Sequence, residues 1–550
     1  MIFNNKIDRY YFFFILFVFA LLLFGLGTYG LAETSEARYA EISREMFLSG
    51  DYLNPELLGI FHFHKPPITY YITTLGYKIF GINEFGARFF LQIAVLIQLV
   101  LVYGLANLLY KNRKVAFLSG LIYFSMPIVL ISSRNLTTDA YLTTFILAAI
   151  YCWQYYVSHK RVIILYLFYL LVGLALLTKG PVALLFIITY IGIEKIIFKR
   201  GFKIGLHHVM GVLLCLIVGA SWYVLVMIEN PRLWDYFIQK QLISRMNADS
   251  FNRAKPFWYY GLLVSGLIFP WWISIIPRFK SKIRSIAKLP KSSLLLLYCS
   301  LAVFVLFSAF TTKLILYILP MFWMPAVFIA TKIQNMSKLS RKYISLIYVA
   351  LINLLCLAVI GIWIFKFPLI TATTYASLIA LGILISSLIS YSVIDNHKNY
   401  KPALMAAVFG AGLLLLSSAV LSDNSTLINS TRDMVNFVNH ISKDKNKTIV
   451  VDDYLLTSIP FYTTAKLITL KDDRDTTQRE TQFENDEKWK QGLWDFNDSN
   501  TISKMDSISK NHGNFFILSK KEALQKDLGF LNSRYNSQKE YAKWRLYYNK

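Results

Sequence analysis

Charged residues are scarce in this chain, and acidic residues are the scarcest of them. Only 16% of the 550 residues are charged, whereas 55% are apolar and 16% aromatic. There are only 4 cysteines, and all of them lie inside apolar segments, so we expect neither disulfides nor a thiolate metal site. We detect no internal repeat and no low-complexity segment. This composition excludes a soluble enzyme and predicts an integral membrane protein.

The apolar residues are gathered into long runs. The first run, Tyr10–Leu31, is followed by no small-x-small cleavage site, so it is predicted to be a retained helix and not a signal peptide. We predict about thirteen membrane spans of this kind, at residues 10–31, 86–109, 115–133, 139–157, 162–178, 181–197, 207–228, 257–277, 292–310, 315–331, 343–365, 370–393 and 402–421. The predicted fold class is therefore a mainly α, polytopic helical membrane protein.

The net charge of +25 is distributed very unevenly. With the N-terminus inside, most of the basic excess falls in the inner loops, whereas the outer loops and the C-terminal tail are nearly balanced. This is the positive-inside pattern, which sets orientation in a membrane and does not indicate a nucleic-acid partner. An odd number of spans then places the loop at 32–85 and the tail on the outer face of the inner membrane.

The sequence divides into a membrane domain, 1–421, and a tail of different composition, 422–550. In the tail, Met434–Ile441 has helical periodicity, and three short apolar runs resemble buried strands: Thr448–Val451, Ala465–Leu470 and Asn514–Leu518. Alternation of this kind predicts a small soluble α/β domain. The polar stretch Asp472–Asn500 is predicted to be a surface loop.

The outer loop at 32–85 contains most of the chemistry-bearing residues. Its first segment, E-T-S-E-A-R-Y-A-E-I-S-R-E-M-F-L-S-G-D-Y from residue 33, has good helix propensity up to Gly50. Helical spacing would place Glu33 and Glu36 on one face, with Arg38, Glu41 and Glu45 on another. Charges beside a membrane helix are functional candidates. The alternative is an amphipathic helix on the membrane surface, with its charges in solvent.

The same loop continues with His62-Phe63-His64-Lys65-Pro66-Pro67. In an extended segment His62 and His64 face the same way and could share a metal, for which zinc is the candidate. Interfacial histidines without a metal are equally common. Pro66 biases Lys65 toward an extended conformation, which suits its ammonium to a phosphate. The alternative for Lys65 is a contact with lipid headgroups.

The remaining candidates for the site lie in a second outer loop, 229–256, and at the outer ends of other predicted helices, where single polar residues occur. Asp139 follows Thr137-Thr138 at the start of an apolar run, where a carboxylate could equally cap the helix. Lys179 lies in Thr178-Lys179-Gly180-Pro181, and Lys313 precedes Tyr317 and Pro320. On one face of the membrane these charges could converge on a single cavity.

Together these segments resemble the bacterial aminoarabinose-lipid A transferases, within the wider protein O-mannosyltransferase-like group of GT-C glycosyltransferases. The motifs that carry the resemblance lie in order between residues 36 and 320: E-A-R-Y-A-E-I-S-R-E-M-x-x-S-G-D-Y, K-P-P-x-x-Y-Y, T-D-A-Y-L-T-T, L-T-K-G-P-V-A-L, P-F-W-Y-Y and T-K-L-x-x-Y-x-L-P. The resemblance implies a GT-C-like membrane domain with an outer C-terminal domain.

The resemblance also implies roles for individual residues. Lys65 matches the lysine that contacts the donor phosphate, and Asp139 matches a carboxylate at the mouth of the cavity. The other matched positions are Arg253 and Tyr317, as groups that bind lipid phosphate, and Arg38 and Tyr39, as residues of the first motif. Lys179 and Lys313 join them as expected substrate-binding residues.

Two positions depart from the family pattern. Ser35-Glu36 stands where the family usually has Asp-Glu, so Glu36, with Glu33 as its substitute and Asp139, is predicted to supply the catalytic carboxylate. His64 stands where some members have a glutamate associated with a metal, so metal binding at His62 and His64 remains open.

The function that follows from the resemblance is transfer of a sugar from a polyprenyl-phosphate donor to lipid A or another surface glycolipid. The cations would stabilise the leaving phosphate, and a carboxylate would take the acceptor's proton. Protein O-glycosylation is the alternative within the enzyme class. A lipid transporter or flippase is the alternative from another class, but it would place its polar residues near mid-membrane in two repeated halves.

Overall fold

A computed structural model describes residues 5–33, 35–201, 204–238, 255–274, 289–395, 398–444, 446–471, 474–496, 498–511, 513–524, 526–541 and 543–549. The chain packs into two compact units. We call Met1–Gly25, Phe89–Arg134 and Thr138–Val420 the helical unit. We call Leu26–Arg88, Asn135–Thr137 and Leu421–Lys550 the mixed unit.

Helices make up most of the described chain, and they are α1 (Lys6–Leu23), α2 (Glu36–Ser49), α3 (Ile68–Phe80), α4 (Glu84–Tyr110), α5 (Arg113–Ser125), α6 (Pro127–Arg134), α7 (Thr138–His159), α8 (Val162–Lys179), α9 (Val182–Phe198), α10 (Leu206–Glu229), α11 (Arg232–Asp235), α12 (Tyr259–Ile268), α13 (Lys291–Ala309), α14 (Trp323–Ile333), α15 (Lys338–Phe365), α16 (Thr374–Val393), α17 (Lys401–Asp423), α18 (Ser425–Ile428), α19 (Arg432–Ile441), α20 (Ile459–Tyr462), α21 (Arg474–Glu480), α22 (Thr501–Ser509) and α23 (Leu531–Arg534). Short 3₁₀ segments lie at Trp271–Ser274, Ile315–Met321, Lys488–Gln491 and Lys526–Leu528.

The strands are β1 (Glu56–Leu57), β2 (Ile60–Phe61), β3 (Thr448–Asp452), β4 (Lys466–Lys471), β5 (Leu493–Asp495), β6 (Phe515–Ser519), β7 (Ser537–Tyr541) and β8 (Trp544–Tyr548). β1 and β2 form a two-stranded antiparallel hairpin. The other six form one sheet in the order β5-β4-β3-β6-β8-β7.

The chain is a multi-pass membrane protein, but the predicted count of thirteen spans is not confirmed. Among the described residues, 7 helices are long and apolar enough to cross a membrane, or 9 if each of two bent pairs is one span. The predicted span at 181–197 corresponds to α9, which has only 17 residues. The first span, α1, includes Lys6, Asp8 and Arg9 within its 18 residues. Part of the predicted span at 257–277 lies outside the described residues.

The two bent pairs break at or beside prolines. α5 and α6 meet at 61° immediately before Pro127, and the Ile315–Met321 segment, which contains Pro320, meets α14 at 53°. Proline has no N–H to donate and its ring clashes with the preceding turn, so a helix bends or breaks there. Both predicted spans, 115–133 and 315–331, are therefore broken in the middle.

The mixed unit contains the α/β arrangement that the tail sequence predicts. Strands β5, β4, β3 and β6 are parallel to one another, β8 pairs antiparallel with β6, and β7 pairs antiparallel with β8 at the edge. Alternate residues of a strand face opposite sides of a sheet. Ile449 and Val451 accordingly pack with α19, whereas Val450 packs with Met505 of α22. The three predicted strands and the predicted helix are confirmed.

The stretch Asp472–Asn500 is not simply a surface loop, which corrects the sequence prediction. It contains α21, the 3₁₀ segment Lys488–Gln491 and the edge strand β5. Glu484, from this stretch, accepts the Phe61 N–H at 2.6 Å, and Phe483 packs its ring on Phe63. One polar residue of the stretch, Glu484, thus binds the hairpin of β1 and β2.

The orientation of the tail is a prediction that reporter fusions can test. The basic inner loops predict that the N-terminus is inside and that residues 422–550 are outside the cytoplasmic membrane. We expect a fusion at about residue 430 to be active with a periplasmic reporter and inactive with a cytoplasmic one. Activity of the cytoplasmic reporter at this position would mean that the number of spans before the tail is even.

Candidate active site

Three predicted site residues of the helical unit are in contact with one another. Asp139 lies in the first turn of α7 and Lys179 in the last turn of α8. Their side chains form an ion pair, and the Lys179 ammonium lies 4.2 Å from the centre of the Tyr317 ring. Asp139 is only 6% exposed. Asp139 and Lys179, two of the outer charges expected to lie close together, are therefore in direct contact.

The other candidates of this unit do not join that group by any contact in the described chain. The Lys313 ammonium is buried and donates to the carbonyls of Phe310 and Lys255, the latter at 2.9 Å. A lysine whose ammonium donates to backbone carbonyls stabilises the backbone conformation of the segments that carry those carbonyls. Arg253 lies outside the described residues, as does most of the predicted loop at 229–256. Its role in lipid phosphate binding stays a prediction.

Glu36 begins α2 and forms a buried ion pair with Arg88. Arg88 Nε donates to Oε1 and Nη2 to Oε2, both at 2.8 Å. Glu36 also accepts the backbone N–H groups of Ala32 and Leu136, at 2.9 and 3.3 Å. The two side chains are 2% and 0% exposed. Both carboxylate oxygens are thus engaged by the protein itself.

Arg88 also satisfies backbone carbonyls with its remaining donors. Nη1 donates to Leu26 at 3.0 Å and to Tyr29 at 2.9 Å, and Nη2 donates to Gly30 at 2.9 Å. Its guanidinium carbon lies 3.9 Å from the centre of the Tyr29 ring. A charge without solvent is tolerated only when it is paired and hydrogen-bonded, and this arginine is both.

Glu33 is held separately, by the C-terminal part of the mixed unit. One carboxylate oxygen accepts the Ser458 N–H at 2.8 Å, and the other accepts the Thr457 hydroxyl at 3.2 Å. The expectation that Glu33 and Glu36 share a helical face is wrong, because α2 begins at Glu36 and Glu33 precedes it. The catalytic role predicted for either glutamate stays a prediction, whereas their contacts are those of positioning residues.

His62 lies among other basic residues. We call Arg38, His62, His64 and Lys65 together the basic cluster. Burial lowers the pKa of His62 well below its ordinary value, and the positive charges of His64, Arg38 and Lys65 lower it further. Arg38 Nε is buried and has no hydrogen-bond partner among the described residues. Tyr39, beside Arg38, packs its ring 5.8 Å from that of Tyr70. This concentration of cations suits an anionic ligand.

The other face of α2 has its own buried charges, so α2 is not a surface helix with solvated glutamates. Arg44 binds both oxygens of Glu41, at 2.8 and 2.7 Å, and Glu41 is 0% exposed. Glu45 accepts the N–H groups of Leu58 and Gly59, at 2.7 and 3.2 Å. Burial and the neighbouring Glu41 carboxylate raise the pKa of Glu45 to about 8.

The raised pKa of Glu45 predicts that stability decreases as the pH rises. Below about pH 4.5 the folded and unfolded chains both hold this proton, whereas from there to about pH 8 only the folded chain does. The free energy of unfolding should therefore fall between about pH 5 and pH 8. We expect Glu45→Gln to flatten this dependence and to raise Tm at pH 8, in thermal unfolding of the purified protein. The exposed Glu487→Gln serves as the control, and an unchanged slope in Glu45→Gln would contradict the prediction.

Sequence reasoning missed Arg88. It also missed Glu480, which has a carboxylate oxygen within 4.8 Å of a ring nitrogen of His62 and of His64, and the neighbouring Phe483 and Glu484. Arg88 had a usable signal, because it is a charge at the start of the apolar run 86–109, and such residues are functional candidates with a partner to be named. Glu480, Phe483 and Glu484 had none, since they lie in a polar stretch with no periodicity.

Residues 64–224 match the family model described as Dolichyl-phosphate-mannose-protein mannosyltransferase. Among curated relatives, the chain is 33% identical to the undecaprenyl phosphate-alpha-4-amino-4-deoxy-L-arabinose arabinosyl transferase 2 of Proteus mirabilis, over 56% of each chain. It is 29% identical to the transferase of the same description from Erwinia tasmaniensis, over 76% of this chain and 77% of that one. The match to the first of these relatives spans little more than half of that protein's length.

The fold is similar to that of ArnT from Cupriavidus metallidurans. The crystal structure of that protein bound to undecaprenyl phosphate matches 98% of each chain, with a TM-score of 0.76 and 20% identity. Its apo crystal structure matches 99% of this chain with a TM-score of 0.75. At 20% identity the structural similarity establishes the fold alone. The similarity in sequence is to the curated transferases. The chain is a multi-pass membrane protein with the fold of ArnT, and part of its sequence is similar to the undecaprenyl phosphate-aminoarabinose arabinosyl transferases.

Proposed function

We propose that this protein transfers a sugar from a polyprenyl-phosphate-linked donor to lipid A or another surface glycolipid, at the outer face of the inner membrane. The observation that carries the proposal is the basic cluster of Arg38, His62, His64 and Lys65 in the mixed unit. Within the described part of the chain the buried Arg38 Nε has no hydrogen-bond partner, and a buried donor of this kind is costly unless a ligand satisfies it. A phosphate oxygen is the acceptor that a guanidinium and an ammonium prefer.

The reaction requires cations at the leaving group. An acceptor oxygen attacks the anomeric carbon, the bond between that carbon and the phosphate oxygen breaks, and its electron pair stays on the phosphate. Lys65 and Arg38 would stabilise the negative charge that develops there. A hydroxyl acceptor would also lose a proton to a carboxylate, whereas a phosphate acceptor has no such requirement.

Asp139 is the carboxylate that we propose for that proton transfer. Among the described residues its side chain forms an ion pair with Lys179, whose ammonium could move to an anionic group of the substrate. Glu36, by contrast, would have to give up Arg88 and two backbone N–H groups. Tyr317 would orient the Lys179 ammonium through its ring. Lys313 and Arg253 remain proposed substrate-binding residues on the resemblance alone.

The names of the relatives and of the similar structure support the class of donor. The curated relatives are described as acting on undecaprenyl phosphate-linked 4-amino-4-deoxy-L-arabinose, and the ArnT crystal structure contains undecaprenyl phosphate. We therefore propose undecaprenyl phosphate as the lipid carrier and aminoarabinose as the first sugar to test.

Mass spectrometry of lipid A and surface glycans tests this proposal. Cells with and without the gene should differ by one glycosyl group on lipid A or another glycolipid, and the gene returned on a plasmid should restore it. Unchanged glycolipids with altered glycosylated proteins would instead support protein O-glycosylation. No change in any glycan, in cells that make the protein, would overturn the proposed activity.

A further inference from the structure

Three aromatic rings surround His208, which lies in the first turn of α10. The centres of the Trp153, Tyr156 and Tyr169 rings are 6.4, 5.9 and 6.2 Å from the centre of its imidazole. The Tyr169 hydroxyl also lies 3.0 Å from Nδ1 of His208. Tryptophan and tyrosine are enriched at the level where a membrane helix leaves the hydrocarbon core. These rings therefore indicate that His208 lies at a membrane interface.

Two lysines lie against the same rings. The Lys195 ammonium is 5.5 Å from the centre of the Trp153 ring and donates to the Gly201 carbonyl at 3.3 Å. The Lys160 ammonium is 5.5 Å from the centre of the Tyr156 ring. We call the four basic residues at this end of the helices the inner cluster: Lys160, Lys195, His207 and His208. The charges of the other three act on His208, and an anion bound among them would offset their mutual repulsion.

The inner cluster combines positive charge with hydrogen-bond donors. Glu194, the residue before Lys195, is already bound by Arg200, whose Nη1 lies 2.6 Å from Oε1. The Tyr166 hydroxyl is 3.1 Å from Nδ1 of the exposed His207. When that hydroxyl donates to Nδ1, the neutral imidazole has its proton on Nε2, which is then a donor. Cations and donors of this kind suit the oxygens of a phosphate group.

The inner cluster lies at the opposite end of its helices from the ion pair of Asp139 and Lys179. α7 begins at Thr138 and ends at His159, and α8 begins at Val162 and ends at Lys179. The positive-inside pattern places Asp139 and Lys179 on the outer face, so the inner cluster lies on the cytoplasmic face. Anionic lipids give the cytoplasmic leaflet a negative surface potential. The anion that this end of the helical unit meets is therefore a lipid headgroup.

An apolar groove begins at His208 and continues along α10. We call it the inner groove, and it is lined by Tyr169, Ile204, His208, Val209, Val212 and Leu213. Gly211 allows the Tyr169 ring to pack closely on α10, because a Cβ at this position would lie 2.0 Å from Cδ2 of that ring. The polar end of the groove is thus at the inner cluster, and its apolar part follows directly.

The size and direction of the inner groove indicate part of an acyl chain as its occupant. Its volume is about 260 Å³, whereas pockets that enclose whole small ligands have roughly 300–1,000 Å³. From Leu206 to Leu213 the helix rises about 10 Å. The groove therefore extends from the interface into the hydrocarbon region, as the chain of a lipid does.

We propose that the inner cluster and the inner groove together bind one anionic phospholipid of the cytoplasmic leaflet. Its phosphate lies among Lys160, Lys195 and the two histidines, and one acyl chain lies along the groove past Val212. The lysines alone would attract any anionic headgroup, whereas the groove beside them binds the chain of the same molecule. The proposal goes beyond the proposed transferase activity and does not depend on it.

Native mass spectrometry of the full-length protein in detergent tests this site. After co-purified lipid is removed, phosphatidylglycerol and cardiolipin are added separately, and phosphatidylcholine, which has no net charge, is the comparison. We expect about one anionic lipid per chain to remain bound where phosphatidylcholine does not. Anionic lipid should also raise Tm, because a ligand that binds only the folded state stabilises it. Equal retention of phosphatidylcholine, or an equal rise in Tm with inorganic phosphate alone, would overturn the proposal.

Variants of the two lysines test the headgroup contacts. Lys160→Gln and Lys195→Gln should each weaken the binding of anionic lipid by roughly 5-fold, the contribution of one lysine near an anionic membrane surface. The control is Lys342→Gln, which removes the same charge from an exposed position in the first turns of α15, also on the predicted cytoplasmic face. It should bind lipid as the wild type does. Wild-type affinity in the double variant of Lys160 and Lys195 would overturn the proposal.

A variant of the groove tests the acyl-chain contact while all the charges remain. Val212→Trp should fill the inner groove and abolish both lipid retention and the rise in Tm. Ile217→Trp is the matched control, because Ile217 lies on the same helix, is 69% exposed and does not line the groove. Wild-type retention in Val212→Trp, or the same loss in Ile217→Trp, would overturn the site. None of these measurements depends on turnover, so failure of the lipid site and failure of the proposed transferase are distinguishable.

Discussion

Replacing Lys65 by alanine is expected to lower the rate of sugar transfer by roughly 100-fold to 1,000-fold, the usual cost of removing one preorganised group that stabilises developing negative charge. The expectation rests on the proposed function and on the position of Lys65 beside His62 and Arg38. The loss should appear mainly in kcat, because the charge on the phosphate is greatest in the transition state. Turnover of purified protein with an undecaprenyl-phosphate sugar donor measures it.

The control for this variant is Lys78→Ala. Lys78 is an exposed lysine in the last turn of α3, so its removal takes the same charge from the same unit without touching the basic cluster. We expect Lys78→Ala to transfer sugar as the wild type does, and Lys65→Arg to recover part of the rate. Normal turnover by a well-folded Lys65→Ala protein would indicate that Lys65 contacts lipid headgroups and does not stabilise the leaving phosphate.

Replacing Glu36 by glutamine is expected to destabilise the protein by about 3–5 kcal/mol, the cost of removing one partner of a buried ion pair. Arg88, which is 0% exposed, would keep its charge but lose the carboxylate that neutralises it. Unfolding of purified protein in detergent, with increasing SDS, measures the loss, and the exposed Glu487→Gln should leave stability unchanged. Wild-type stability in Glu36→Gln would contradict a structural role for the pair.

A double variant separates positioning from catalysis at Glu36. Arg88→Met combined with Glu36→Gln removes the unpaired charge, so the two stability losses should be less than additive, as for residues in direct contact. If Glu36 positions the chain, Glu36→Gln should retain turnover per folded molecule. A stable Glu36→Gln protein that has lost transfer would instead identify Glu36 as the catalytic carboxylate, in place of Asp139.

Much of the fold could be predicted because it depends on short-range pattern. Long apolar runs predict helices that are long enough to cross a bilayer. Short apolar runs between turns predict buried strands, as at Thr448–Val451. The number of spans was less predictable. Proline breaks divided two runs. In addition, α1 contains the charged residues Lys6, Asp8 and Arg9 within its 18 residues, and α9 has only 17 residues.

The candidate site was predicted as a set of residues but not as a set of contacts. The sequence by itself determined which groups are available: the glutamates of α2, the pair His62 and His64, Lys65, and the polar ends at Asp139 and Lys179. It also predicted that they lie in or beside outer segments of a membrane protein, because hydropathy and the distribution of lysine and arginine can be read from the sequence.

Only the tertiary structure decided the partner of each charge. Glu36 pairs with Arg88, Glu33 is bound by Ser458 and Thr457, and Glu480 lies beside His62 and His64. Helical and strand periodicities relate residues only a few positions apart. A buried charge, however, needs a partner from whichever segment packs against it. The packing of the first outer segment against the C-terminal strands and helices therefore assigned these partners, which no local pattern specifies.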